Sequence, residues 1–320
     1  MRITTCLSLC ALALGPAFAG NADYSWELAG RLGDDESEQG GESDHASIAT
    51  TYYFDPVEDG TGPHALAAFL DPATRVSLIV SQDKDTLPSG TLDSEIADYA
   101  VSGQYLLPRS KWFVGGRYSQ GDVDAPFSPP VTASSIDLKS HAVVAGKYLG
   151  AGATRLQLSL DRSKTENEQV LTICIPGCFN GIGNVDVTTD EVRLDVMHVA
   201  PIRAATYALS GGVSESNSDA VGSLVFIPNP LVPPFPNQTL NLDLGTLRTY
   251  SVSAELFPIA QLGVRLGYTR TDGENVDGDI VEVEASWFFR RNVGLELTLS
   301  REDFEGDTAD GVALRAIGRF

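Results

Sequence analysis

Apolar and polar side chains alternate with a period of two residues in segment after segment of this chain. In 292–302, valine and leucine occupy every second position, while glycine, glutamate, threonine and serine occupy the positions between them. The segments 153–163, 260–271 and 279–289 repeat the arrangement. Strict alternation of this kind indicates β-strands with one apolar and one polar face. The pattern therefore predicts an all-β protein.

The alternating segments number about 14, with 12–16 strands possible. An even number returns both ends of the chain to one side, as in an antiparallel up-and-down β-barrel. We see no linker and no shift in composition, so we expect a single barrel domain. The predicted strands are 22–32, 44–54, 74–83, 95–106, 111–120, 135–149, 153–163, 188–200, 204–214, 243–257, 260–271, 279–289, 292–302 and 311–320.

The connections between these segments alternate in length, which favours a transmembrane barrel over a soluble one. Short periplasmic turns and long outward loops are typical of outer-membrane barrels. Tight connections are expected at 108–110, 150–152, 201–203, 258–260 and 290–291, and long polar loops at 33–43, 82–94, 120–134, 163–187, 215–240, 272–279 and 303–310. The exception is 55–73, where residues 64–70 are expected to form a brief helix or a strand extension under the barrel mouth.

Aromatic residues cluster beside the tight connections. Such residues form girdles where a barrel wall meets the membrane–water interface. We expect the following residues to lie on the lipid-facing side: Tyr52, Phe54, Tyr105, Trp112, Tyr148, Tyr207, Phe257, Trp287 and Phe289.

Residues 1–19 have the features of a cleavable export signal. Arg2 precedes an apolar stretch at 6–14, and Ala17-Phe18-Ala19 offers a small-x-small cleavage site. The stretch is too short to span a membrane as a helix. We therefore expect a mature barrel of residues 20–320, exported through the periplasm to the outer membrane. Lipid attachment at Cys10 is the alternative, although Leu9 stands where a small residue would be expected.

Two cysteines remain after the signal. Cys174 and Cys178 flank Pro176-Gly177, which can turn the chain and bring the two thiols together. In an exported protein this spacing favours a disulfide. Two thiols alone make a poor zinc site, so neither a metal nor a cofactor is expected.

The formal net charge of −21 argues against a nucleic-acid partner, because no basic stripe is available to neutralise phosphates. The acidic segments 33–38 and 272–279 lack the ligand spacing of a calcium-binding EF-hand. We expect them to be solvated surface loops. The alternative is that divalent ions bridge their carboxylates to the phosphates of lipopolysaccharide.

Three parts of the chain resemble the general porins of Gram-negative proteobacteria. They are YYFDPV at 52–57 followed by ALAAFL and 71–76, the series of strand hairpins, and the last strand GVALRAIGRF ending in Phe320. The resemblance implies a passive diffusion channel for small hydrophilic solutes and ions in the outer membrane. It also implies that the barrel-assembly machinery recognises the terminal phenylalanine, and that the protein is a homotrimer.

If the apolar face meets lipid, the opposite face lines a charged lumen. The residues that we expect to line the pore are Arg75, Asp98, Arg117, Lys139, Arg155, Arg193, Asp195, Glu255, Arg265, Glu282, Glu284, Glu296 and Arg315. The apolar, proline-rich segment 221–236 is a candidate constriction. It is also suited to contact lipid headgroups or a neighbouring subunit, or to remain an exposed loop.

Two other functions remain open at this stage. A structural or adhesin-type barrel needs no open pore. A barrel hydrolase would need a base beside a nucleophile, and Asp44-His45 at the outer rim is the nearest candidate. Neighbouring residues on a strand face opposite ways, so the pair is a weak site and we do not expect an enzyme.

Overall fold

Fourteen antiparallel strands form one closed barrel, as the alternation predicts. The computed structural model describes residues 23–320 except 39, 59, 61, 87–92, 108, 125–130, 151–152, 175–177, 227–237, 274–275 and 305. The predicted signal, residues 1–19, and most of 221–236 lie outside the described residues. The strands are β1 (Tyr24–Ser37), β2 (Glu42–Val57), β3 (Arg75–Thr86), β4 (Asp93–Leu106), β5 (Trp112–Asp124), β6 (Val131–Leu149), β7 (Thr154–Cys174), β8 (Cys178–Ile202), β9 (Ala205–Phe226), β10 (Gln238–Ile259), β11 (Leu262–Gly273), β12 (Asp277–Arg290), β13 (Val293–Phe304) and β14 (Asp307–Arg319).

The barrel closes where the last strand pairs with the first. The register of β14 on β1 runs from Glu27 opposite Arg319 to Ser37 opposite Ala309. The backbone of Phe320 extends this pairing, since its N–H donates to Trp26 at 2.9 Å and its carbonyl accepts from Trp26 at 2.7 Å. Closure leaves no unpaired sheet edge, which a barrel within a bilayer requires.

Strands β7 to β10 are much longer than predicted. The segments 163–187 and 215–240 were expected to be loops, but most of their described residues continue the β7–β8 and β9–β10 hairpins. Above the membrane both faces of a hairpin meet water. Residues 163–168 of β7 and 215–219 of β9 therefore carry polar side chains on both faces and lack the alternation that marks a strand in a bilayer.

The outer face of the barrel is apolar and exposed. Leu297 and Leu299 on β13 stand out from the wall, and Thr298 between them lines the inside. The same pattern holds around the barrel, so a belt of exposed leucine and valine surrounds it. Such a belt on a closed barrel is suited to lipid, and the protein is an outer-membrane β-barrel. In the described part of the chain, no helix is long and apolar enough to cross a membrane.

Aromatic residues mark both edges of the apolar belt. At the end with the short turns, Trp26 contacts Tyr52, and Trp287 contacts Phe289. At the other end, exposed tyrosines form a second girdle that the sequence analysis missed: Tyr99, Tyr118, Tyr250 and Tyr268. The prediction was wrong for two members of the first girdle, because Tyr148 and Phe257 are buried on the inner face.

Residues 58–74, which join β2 to β3, fold into the barrel and are called the plug here. A 3-10 turn (His64–Leu66) leads into the short helix α1 (Ala67–Leu70), in agreement with the brief helix expected there. Leu66 and Phe69 are buried in one cluster with residues of five strands: Phe113, Tyr148, Val199, Ala208 and Phe257. A short segment can contact five strands of the wall at once only from inside the barrel. The plug therefore lies within the barrel.

Three further contacts fix the plug at the turn side of the barrel. Ala67 is buried with Tyr24 and Tyr53, and Ala65 packs against the cluster formed by Phe288 and its neighbours. The N–H of His64 donates to the carbonyl of Ala260, in the β10–β11 turn, at 2.9 Å. The plug therefore spans the lumen from wall to wall.

Candidate functional site: the cavity above the plug

A large cavity within the described barrel borders the plug core. Its volume is about 520 Å³. Met197 and Ala208 belong both to the cavity wall and to the apolar cluster around the plug. Six charged residues line it, all of them predicted to face the lumen: Arg155, Arg193, Asp195, Glu255, Arg265 and Glu282. The strand register thus brings distant charges together at one place.

Arg155 lies between the cavity and the plug. Its guanidinium stands 5.7 Å from the centroid of the Phe69 ring, a cation–π contact with the plug helix. Within the residues that the structure describes, no carboxylate oxygen lies within ion-pair distance of Arg155. Its positive charge is therefore available to the cavity.

Arg193 and Asp195 neutralise each other on the wall of β8. The Nε of Arg193 donates to the two carboxylate oxygens of Asp195 at 2.9 and 3.0 Å. Gly212 on β9 makes room for this pair, because a Cβ there would lie 2.6 Å from an Asp195 oxygen. The pair therefore adds polarity to the wall without adding net charge.

The opposite part of the cavity wall carries more acid than base. Glu255 on β10 is the register partner of Arg265, and Arg265 is the register partner of Glu284. Arg265 lies 3.7 Å from the Glu284 carboxylate, whereas Glu255 and Glu282 have no ion pair among the described residues. This part of the wall therefore presents unpaired carboxylates to the cavity.

A second charged group lies along the barrel seam and is internally paired. Arg315 donates to Glu296 at 2.8 Å, and Arg319 donates to Glu27 at 2.9 Å. Glu284, Glu296 and Arg315 line a smaller cavity of about 260 Å³. Nine of the predicted lumen residues thus lie at these two sites, six at the large cavity and three at the seam. Of the two sites, only the large cavity has unpaired charges of both signs within the described residues.

Three other predicted residues lie on the inner face away from the large cavity. Arg75 donates to the side chain of Gln104 at 3.4 Å, and Asp98 accepts a hydrogen bond from Ser81. Arg117 is the register partner of Ala142, which is buried inside. Whether these residues line an open pore stays a prediction.

Lys139 was predicted to line the pore, and this was wrong. It lies four residues from Val143 on β6, hence on the same face, and the Val143 side chain is 65% exposed on the outer wall. Lys139 instead contacts Glu166 on the outer face of β7 at 3.3 Å. The prediction failed because β6 carries apolar residues on both faces, so its alternation does not define which face meets lipid.

Exposed ion pairs lie on the outer wall, above the apolar belt. Arg162 donates to both carboxylate oxygens of Asp190 at 2.6 and 2.7 Å, and this bond lowers the pKa of Asp190. A hydrogen bond from Lys164 lowers the pKa of Glu166 in the same region. These exposed pairs mark the water-facing rim of the outer surface.

The candidate catalytic pair Asp44-His45 and the two cysteines lie at the outer end of the barrel. His45 lies against Asp83 of β3 rather than against Asp44. Cys174 and Cys178 are backbone register partners at the end of the β7–β8 hairpin. The disulfide stays a prediction.

Uncharged cavity residues were missed in the sequence analysis. Ser210 and Ser253 line the floor and hydrogen-bond to each other at 2.6 Å. The only sequence signal was the run of small residues at alternate positions of β9. That signal fits any polar lumen, so it does not point to one cavity.

Solved structures share this fold, whereas no protein-family profile and no curated protein matches the sequence. The monoaromatic hydrocarbon channel CymD is 11% identical and superposes with a TM-score of 0.58, covering 96% of this chain and 91% of its own. A deltaS2S3 mutant of the monoaromatic hydrocarbon channel TodX gives 9% identity and a TM-score of 0.55, with 96% and 93% covered. The toluene transporter TbuX of Ralstonia pickettii gives 10% identity and 0.53, with 95% and 91% covered. At these identities the likeness concerns the fold alone.

Proposed function

We propose that the protein is a passive diffusion channel for small hydrophilic solutes, as the resemblance to general porins implies. The observation that carries the proposal is the charged cavity of about 520 Å³ inside the barrel. Arg155 and Glu255 remain unpaired there within the described structure. Unpaired charges need water or a polar solute, so this lumen is suited to polar cargo rather than apolar cargo.

In this proposal the plug is the constriction of the channel. Leu66 and Phe69 fill the inside of the barrel at the turn side. A solute that has entered from the end opposite the short turns meets the charged cavity first and the plug second. The size limit is therefore set by the gaps around the plug and by its motion.

The plug also favours a second candidate function, a structural or adhesin-type barrel without an open pore. Packing of Leu66 and Phe69 across the lumen is what a permanently closed barrel would need. The two candidates differ in whether solute passes, because both predict a stable barrel in the outer membrane. A hydrolase has no support beyond the contact between His45 and Asp83, and we propose no enzymatic activity.

Conductance in planar lipid bilayers separates the two candidates. We expect the full-length protein to give small, steady channels, and a variant with residues 62–72 replaced by a short glycine–serine linker to give larger ones. A heat-modifiability gel confirms that each preparation is a folded barrel. Folded protein that conducts in neither form would contradict the channel and support the structural barrel.

The partners of this barrel are proposals as well. The ion pairs of the outer rim, such as Arg162 with Asp190, stand where lipopolysaccharide phosphates would lie. Recognition of Phe320 by the barrel-assembly machinery is the second proposal. A homotrimer is the third proposal, and crosslinking of the protein in outer membranes tests it.

A further inference from the structure

Opposite charges stand at separate places on the wall of the large cavity. Arg155 on β7 has no carboxylate within ion-pair distance in the described structure, and neither Glu255 on β10 nor Glu282 on β12 has a cationic partner there. The remaining charged residues of this wall are neutralised, because Arg193 pairs with Asp195 and Arg265 approaches Glu284. The cavity therefore has a positive side and a negative side.

The wall between the two sides carries mostly small side chains. Successive register partners across the sheet run from Arg155 to Glu282 through four residues: Met197, Ser210, Ser253 and Gly267. Two of these are serines that bond to each other at 2.6 Å, and one is a glycine. Small side chains leave the space between the charges open to a solute and offer hydroxyls to it.

We propose that this cavity binds small zwitterions, namely free amino acids and short peptides. The Arg155 guanidinium receives the solute carboxylate, and the Glu255 carboxylate, three strands away, receives its ammonium group. Glu282 adds negative charge on the same side as Glu255. Arginine is suited to the first role because its fork of N–H donors matches a carboxylate. A neutral solute satisfies neither charge, and a solute with one charge satisfies only one side.

This inference rests on the proposed channel function and names its substrate class. It also gives the cation–π contact a role. Phe69 holds the Arg155 guanidinium over the plug, at 5.7 Å from the ring centroid. A bound carboxylate is thereby placed beside the plug helix, where the solute must pass.

The test is osmotic swelling of liposomes that contain the full-length protein. Four solutes of similar size are compared: glycylglycine, its N-acetyl derivative, glycylglycine amide and arabinose. We expect glycylglycine to enter roughly three- to tenfold faster than arabinose, which corresponds to about one satisfied charge pair. The anionic and cationic derivatives should show smaller advantages.

Two variants test which residue binds the carboxylate of the solute and which binds its ammonium group. Arg155→Gln should remove the advantage of glycylglycine and of the N-acetyl anion, and leave that of the amide. Glu255→Gln should reduce the advantage of glycylglycine and of the amide, and leave that of the anion. Arg31→Gln, an inner-face arginine of β1 outside this cavity, is the matched control and should leave every ratio unchanged. Rates are divided by the arabinose rate, so a general change in plug packing does not imitate the effect.

The zwitterion site and the channel give different results when they are absent. If arabinose enters and glycylglycine enters no faster, or if Arg155→Gln leaves the ratio unchanged, the zwitterion site is wrong and the channel stands. If no solute enters liposomes that contain folded barrels, the channel itself is wrong.

Discussion

The guanidinium of Arg319 donates a hydrogen bond to the backbone carbonyl oxygen of His64 at 2.5 Å. Arg319 is the last residue of β14, and His64 lies in the plug. The same guanidinium donates to Glu27 at 2.9 Å and stands 4.9 and 4.8 Å from the ring centroids of Tyr24 and Phe288. A buried cation with these partners is held in one place, and it holds the plug to the barrel seam.

Replacing Arg319 should loosen the plug. Arg319→Met removes the bond to His64 and the 2.9 Å ion pair with the largely buried Glu27 carboxylate. Glu27 then keeps only the more distant Arg315, at 3.9 Å, so the loss of stability should be up to about 3–5 kcal/mol. We expect larger and noisier single-channel conductance. The double variant Glu27→Gln/Arg319→Met also removes the charge of Glu27 and should recover the stability of the barrel. Its conductance should remain larger and noisier than that of the native protein. If the conductance of the double variant is as small and steady as that of the native protein, Arg319 does not hold the plug.

The Phe69 ring should contribute strongly to plug docking. Phe69→Ala leaves a void among Phe113, Tyr148 and their neighbours, and Phe→Ala in such a site costs about 3–5 kcal/mol. Conductance should rise, because the plug opens more often. Phe54→Ala is the matched control, since that ring is exposed on the outer wall, and its conductance should equal that of the native protein. Equal conductance of the two variants would show that plug packing does not limit flow.

Inner and outer charges should differ in their effect on ion selectivity. Glu282→Gln removes a carboxylate from the cavity wall and should lower the preference for cations over anions. Lys139→Gln changes a charge on the outer face and should leave that preference unchanged. Reversal potentials in a salt gradient measure both. A shift with Lys139→Gln as large as that with Glu282→Gln would place Lys139 inside after all.

Lipid exposure of β13 predicts opposite outcomes for neighbouring residues. Leu297→Arg puts a charge in the apolar belt and should destabilise the barrel by roughly 2–4 kcal/mol. Thr298→Arg puts the same charge on the inner face, where water is present, and should cost far less. Urea unfolding of barrels refolded in lipid vesicles compares the two. Equal destabilisation would mean that the two faces are assigned wrongly.

Cys174 and Cys178 should form a disulfide in the exported protein. They are backbone partners in the β7–β8 hairpin, and the loop between them is short. Intact mass without reductant should be lower by the two hydrogens lost on oxidation. We expect reduction to leave heat-modifiability unchanged, because the bridge closes a short loop far from the plug. Free thiols in protein taken from outer membranes would contradict the prediction.

The sequence predicts the barrel well because lipid imposes a period of two on every strand that it touches. The predicted 292–302 corresponds to β13 (Val293–Phe304), and all fourteen strands occur in the predicted order. Beyond the membrane that constraint disappears, so the sequence predicts loops where β7 to β10 continue as long hairpins. Tyr148 and Phe257 were misplaced because the plug gives part of the inner face an apolar partner, which alternation alone does not reveal.

The candidate site is less accessible to sequence analysis. Alternation places Arg155 and Glu255 on the inner face, but their common cavity depends on the stagger of the strands between them. No local pattern encodes that stagger. Nor does any local pattern show that Arg193 is paired with Asp195 while Arg155 is left unpaired in the described structure.

The position of Arg319 in the chain has a consequence for the order of assembly. Arg319 belongs to β14, which follows the other thirteen strands in the chain and completes the wall by pairing with β1. Its bond to His64 forms only when that pairing has brought Arg319 to the seam. Until then the segment between β2 and β3 lacks its buried cation. The final strand thus seals the wall and secures the plug in one event, so a barrel that has not finished folding is also a barrel that has not been shut.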